Sequence, residues 1–225
     1  MKAIVRKIDR ALKRIYNLEN NYWAERFLIR GPLNTIAARH AGLQGAIFVQ
    51  NNSSESQKPE DISLGIYFSE PVCKELSDIR RWRVGSWSTS QLSAFAVASE
   101  EVSHFNYLIH NAVAGRAVSQ LELELQGEID KFLLAFFALS QEDGERKRRE
   151  LFQAVFDQLF ERFHWAEHLT EEQRERYAEA NQCAQHFLLK CREELAAAKD
   201  YEQIFRTLRR FYRLSASEKI SFTRA

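Results

Sequence analysis

Residues 91–113 read QLSAFAVASEEVSHFNYLIHNAV and residues 117–139 read AVSQLELELQGEIDKFLLAFFAL, with Gly115-Arg116 between them. Both segments are apolar enough to be core helices, and both carry acids where apolar residues belong. On the first, Ala94, Ala98, Glu101, Phe105, Leu108 and Ala112 recur at steps of three and four and mark one face. Glu101 sits in the middle of that face, flanked by Glu100 and His104. On the second, Leu121, Leu125, Ile129, Phe132, Phe136 and Leu139 form the stripe, with Glu124 and Glu128 beside it. A buried carboxylate without a partner is very costly. The two segments are therefore expected to be antiparallel neighbours facing each other across a polar site made of Glu100, Glu101, His104, Glu124 and Glu128. Counting outward from the link puts His104 level with Glu128, and Glu124 one turn nearer the link.

The rest of the chain reads as a mainly α, multi-helix single domain over residues 1–225, with a small β-hairpin before the two central helices. Only 3 Pro and 8 Gly in 225 residues favour helix, and 45% hydrophobic residues with 16 Phe are enough for a sizeable core. Residues 2–19 form an amphipathic helix with Ile4, Ile8, Leu12, Ile15 and Leu18 on one face. Lys2, Arg6, Lys7, Arg10, Lys13 and Arg14 make its other face basic. Such a helix can bind RNA or a membrane surface, but it reads first as a helix packed on its own domain. NYWAERFLIR continues as a second helical piece, and Asn34 is placed to cap a third, TIAARHAG.

GAIFVQ (45–50) and ISLGIYFS (62–69) are the strand signals and form the hairpin. PVCKELSDI follows as a short helix with Pro71 in its first turn. In RRWRVGSWSTS, Arg80, Arg81 and Arg83 interleave with Trp82 and Trp87, a pattern that can stack on bases. No basic field supports it elsewhere and the net charge is +1, so the signal for nucleic acid is not strong. These residues read as a loop whose tryptophans plug the core. A boundary between subdomains is expected near 140–148, in the charged run SQEDGERKR. Helices then cover 148–168, about 170–198 and 201–214, and the tail SASEKISFTRA is expected to be loosely held. Cys73, Cys183 and Cys191 have no zinc-finger spacing, and Cys183 and Cys191, about 12 Å apart on one helix, are too far apart to bridge. Free thiols, no signal peptide and no membrane-length apolar run point to the cytoplasm.

Glu100 to His104 form the pentad E-E-V-S-H. In the zinc-peptidase pentad H-E-x-x-H, two His one turn apart bind the metal and the Glu activates water. Here the Glu and the second His are present, and Glu100 stands at the first His. Glu124 follows His104 by twenty residues, on the next helix. Residues 62–128 therefore resemble the core of the gluzincin class of zincin metallopeptidases. The resemblance implies Glu100, His104 and Glu124 as ligands and Glu101 as base, and Glu128 is a further candidate ligand. Two carboxylates and one His make a harder set than two His, suited to Mn²⁺ or Fe²⁺ at least as well as Zn²⁺. That implies a metallohydrolase outside the ordinary peptidases, with a protein or a small molecule as its partner.

Two other readings stand beside it. Glu101-Val-Ser-His104 and Glu161-Arg-Phe-His164 share the E-x-x-H spacing of ferritin-like di-iron bundles. Helical phase puts Glu161 on a solvated face, opposite to what that chemistry needs. His164-Trp-Ala-Glu167-His168 has the spacing of inverted zinc peptidases, but it sits at a helix end. The plainest alternative is a non-enzymatic helical interaction protein. In it Glu101 and Glu128 pair with Arg80, Arg81, Arg83 or Arg116, and His104 bonds a Glu in a buried network.

Overall fold

The computed structural model describes residues 1–29, 43–51, 62–79, 87–140, 144–161, 169–198 and 200–224. About 75% of it is helical, in eight helices, with one two-stranded antiparallel hairpin. Helix α1 is Lys2–Tyr16, the strands are β1 Gly45–Asn51 and β2 Ile62–Phe68, and α2 is Glu70–Asp78. The central pair follows as α3 Thr89–Val113 and α4 Gln120–Leu139. Then come α5 Glu145–Phe156, widening into a π turn over Asp157–Glu161, and α6 Glu171–Ala197, α7 Glu202–Tyr212 and α8 Ala216–Arg224. Among the described residues no helix is long and apolar enough to cross a membrane. The expected helix at TIAARHAG, the Arg80–Arg83 stretch, and His164 and His168 lie outside the described residues.

Three of the long helices start at reciprocal caps. The Ser88 side chain accepts from the Gln91 N–H and the Gln91 side chain from the Ser88 N–H; Ser119 with Glu122 and Thr170 with Gln173 do the same. The cap at Ser119 starts α4 three residues later than its apolar pattern suggests. Gly115, at φ 65°, turns the link in the left-handed region where a side chain would be strained. The link leaves α3 and α4 antiparallel: Tyr107 meets Glu122, His104 meets Glu124 and Glu100 meets Lys131.

Helix α3 packs against α1, α2, the hairpin and α4, so it is buried around most of its circumference and not along one stripe. Val102, Ser103, Asn106 and Tyr107 are buried, whereas Leu108 and Ala112, on the expected stripe, are only half-buried. Trp87 packs on Phe95 with ring centroids 4.6 Å apart. From α4 and α5, Phe132, Phe136, Phe152, Phe156 and Phe160 form one aromatic cluster. Each ring contributes about 1.5–3 kcal/mol by leaving water.

Three local expectations are corrected. Residues 21–29 make only one helical turn, Ala24–Arg26. Their backbone bonds go elsewhere: buried Asp9 takes the Ala24 N–H at 2.9 Å, and Phe27 and Ile29 bond to Ile66 at the edge of β2. Lys13, expected on the solvated basic face, is buried; its ammonium bonds the Tyr22 carbonyl and lies 4.0 Å over the Trp23 ring. The tail is not loose. It forms α8, and Lys219 enters the core with no exposed surface. Helix α7 ties the chain ends together, its Arg209 and Arg213 donating to the last carbonyls of α1 at Arg14, Ile15 and Tyr16.

Candidate metal centre

Spacing on α4 gives it two polar faces. Glu124, Glu128 and Lys131 lie on one, at steps of four and three; Glu122, Gln126 and Asp130 lie on the other, at steps of four. The first faces α6 and holds the candidate site. His104 of α3 stands between two carboxylates there: Nδ1 is 3.6 Å from Glu101 Oε2, and Nε2 is 3.6 Å from Glu124 Oε2. Glu101, His104 and Glu124 are 8%, 5% and 8% exposed. Glu100 is less buried, and its carboxylate, His104 and Glu124 each offer one ligand atom within 4.8 Å of the others.

Glu128 is placed differently from expectation. It does not join His104, because Lys131 Nζ holds Glu128 Oε1 at 2.5 Å and Asn181 of α6 donates to its Oε2 at 3.3 Å. Arg116 is likewise committed elsewhere, to Glu122 at 3.0 Å. Lys131 also reaches Glu100, at 3.5 Å. The ring-facing side is thus left to Glu100, Glu101 and Glu124 around one imidazole.

Burial and neighbouring charge shift His104, Glu124, Glu101, Glu128 and Lys131. Burial alone would lower the His104 pKa, but contact with Glu101 and the charges of Glu101, Glu124 and Glu100 outweigh it and push it up to about 9. Burial raises Glu124 to about 7 against the attraction of His104, with Glu100 and Glu101 adding to the rise. Glu101 and Glu128 are raised by burial too, opposed by His104 and Lys131 respectively. Burial would lower Lys131, yet Glu128 and Glu100 hold its ammonium charged.

Three buried atoms at the centre lack a hydrogen-bond partner: Glu101 Oε2, His104 Nε2 and Glu124 Oε2. Buried polar atoms usually find a partner, and three converging on one imidazole are a place that an ion or an ordered water can complete. Ligand atoms about 2.0–2.2 Å from one tetrahedral ion lie roughly 3.3–3.6 Å from each other, so the His104–Glu124 spacing fits. Glu100, on the open edge, has to swing inward to complete the set.

Four residues that complete the site were not expected. Lys131 had a signal, lying three residues after Glu128 on a helix. Gly127 had one too, since a glycine inside a helix costs about 1 kcal/mol against alanine and marks a close approach. A Cβ there would lie 2.7 Å from His104 Nε2 and 3.0 Å from Glu100 Cγ. Tyr177, which hydrogen-bonds Glu124, and Asn181 come from α6, and nothing local in the sequence ties them to α4. Among the histidines without a pattern, His110 is half-buried beside the Tyr212 ring and His186 is exposed. In comparisons with protein-family models, curated proteins and solved structures, nothing matches this chain.

Proposed function

We propose that this chain is a zincin-like metal-binding protein that holds one divalent ion, Zn²⁺, Mn²⁺ or Fe²⁺, through Glu100, His104 and Glu124, and acts as a metallohydrolase outside the peptidases. The observation that carries the reading is the trio of buried, unpartnered atoms around His104. Glu101 takes a positioning role in place of the base expected from the pentad. It meets Nδ1 and so aims Nε2 toward Glu124, as carboxylates behind metal-bound histidines do. When bound, such an ion supplies Lewis-acid polarisation of a substrate oxygen. The substrate side is the edge at Glu100, whose side chain is 21% exposed. All three cysteines are free, which fits a reducing compartment, and we place the protein in the cytoplasm.

The test is the metal content of the full chain purified without chelator and dialysed against Zn²⁺, Mn²⁺ or Fe²⁺. The reading expects about one ion per chain, and none in a folded His104→Ala variant. Wild type that retains no ion from any of the three overturns it. A second reading is favoured by the two 3.6 Å ion-pair distances of His104: an interaction protein in which the imidazolium itself balances the acids. His104→Ala then lowers the melting temperature with no metal to lose. The di-iron alternative gains no support, since Glu161 of the second E-x-x-H copy is exposed.

A further inference from the structure

We infer that Lys131 is a built-in second cation that restricts this centre to one metal ion and governs the availability of Glu100. The inference rests on the metal-binding reading above. Four carboxylates, Glu100, Glu101, Glu124 and Glu128, crowd one side of the α3–α4 pair. They separate into two halves that share Glu100. One half is Glu100, His104 and Glu124, the ligand set. The other is Glu100 and Glu128, with Asn181 donating to Glu128 from behind, and the Lys131 ammonium sits between the two carboxylates, 3.5 Å from Glu100 and 2.5 Å from Glu128.

Carboxylates from facing helices with one shared between two cation positions make the arrangement of a dinuclear centre. Here one position holds a covalently attached charge. Lys131 is only 5% exposed and anchored to α4 one turn beyond Gly127, so it cannot leave as a solvent ion would. Its contacts with Glu128 and Glu100 differ in strength. Glu128 is held at close range and Glu100 at the limit of a hydrogen bond, so Glu100 is the carboxylate released toward a metal. With one divalent ion and the ammonium the four carboxylates keep a single net negative charge, and a second divalent ion in place of the ammonium would leave none, so it is the ammonium's occupancy, not charge balance, that excludes a second ion.

The experiment uses Mn²⁺ as probe on the full chain, with equilibrium dialysis for stoichiometry and electron paramagnetic resonance for coupling between ions. Wild type should bind one Mn²⁺ with the six-line spectrum of an isolated ion. Lys131→Met, which keeps volume and removes charge, should bind two, with the spectrum of a magnetically coupled pair. Glu128→Gln removes the charge that holds Lys131 closest, draws the ammonium toward Glu100 and should weaken the first Mn²⁺ about tenfold, so it decides the matter if Lys131→Met fails to fold. Two ions in wild type, one ion in folded Lys131→Met, or unchanged affinity in Glu128→Gln overturns the inference while leaving the metal reading intact. Wild type that binds no Zn²⁺, Mn²⁺ or Fe²⁺ removes both.

Discussion

Helix α4 has a polar cluster on each side, and the two clusters are solved in opposite ways. On the side toward α1 and α8, Asp130 accepts from Tyr16, from Ser103 at 2.5 Å and from Gln126 at 3.2 Å. Lys219 donates to Tyr107 at 2.8 Å and Gln126 at 3.0 Å, and Tyr107 donates to Glu122 at 2.8 Å. None of these side chains has an orphaned buried atom, although the hydroxyl of Tyr212, packed on Tyr16 and Tyr107, does. On the side toward α6, the imidazole and two carboxylates meet at 3.6 Å and leave three atoms unpartnered. A fully satisfied buried network fixes a fold, and a partly satisfied one is costly unless something else completes it. Polarity in a core does not by itself mark a site, nor does a single unsatisfied atom; what distinguishes the side toward α6 is that unsatisfied atoms of an imidazole and two carboxylates converge there.

The largest effect that should separate the two sides is loss of Asp130. Asp130→Ala removes the acceptor of the Tyr16 and Ser103 hydroxyls and one of the two acceptors of the Gln126 amide, and should cost about 3–5 kcal/mol in urea unfolding. A cost below about 1 kcal/mol would mean that the closed network is not what holds this side together.

Next comes the pH behaviour of Lys219, which faces Tyr107, Gln126, Glu122, Asp130 and Arg116. Burial lowers its pKa from 10.5 to about 7, against the pull of Glu122 and Asp130. Between those values the unfolded chain binds a proton that the folded chain lacks, so this group makes stability rise with pH from about 7 to 10.5. His104 works the other way: its folded pKa of about 9 lies above 6.5, and its contribution is lost as pH rises through 9. The informative quantity is therefore a difference. The melting temperature of wild type minus that of Lys219→Met should grow by several degrees from pH 7 to pH 10, at roughly 2–4 °C per kcal/mol for a chain of this size. A flat difference would place Lys219 outside the closed network.

Gly127→Ala should have a smaller effect on folding and a complete one on the open side. The added methyl meets His104 Nε2 at 2.7 Å, and relief of that contact costs about 1–3 kcal/mol, offset by about 1 kcal/mol of helix propensity. The variant should melt within a few degrees of wild type and hold no Zn²⁺ in dialysis. Retained Zn²⁺ would move the metal away from Nε2. The smallest stability effect is expected for Glu124→Gln without metal. Its carboxylate is pushed up to about 7 by burial, so at pH 5, where it is protonated in the fold, a neutral amide should change stability by less than about 1 kcal/mol. A loss as large as that of Asp130→Ala would erase the contrast between the sides.

The sequence carried the helical class, the hairpin and the acids of the open side, because helical periodicity and β-rich runs are local signals. Glu101, His104 and Glu124 were legible as polar residues on apolar faces. The closed side was equally legible in spacing, with Glu122, Gln126 and Asp130 at steps of four, yet their partners come from Tyr16 and Lys219, far away along the chain. Docking of α8 had no local signal, since the residue that anchors it is a lysine inside a polar stretch. Glu128 was misplaced for a related reason: its height along the helix is right for His104, but a lysine three residues on captures it first.

Gly127 bears on inheritance as well as on space. Its missing side chain makes room for the imidazole, and almost any substitution there would silence the centre while leaving the helix able to form. Loss of the site would then leave a visible scar. On the metal reading, relatives without the ion should be free to carry alanine or larger residues at this position, and those that keep glycine should keep His104 with it. A single small residue would then sort relatives that bind an ion from those that share only the shape.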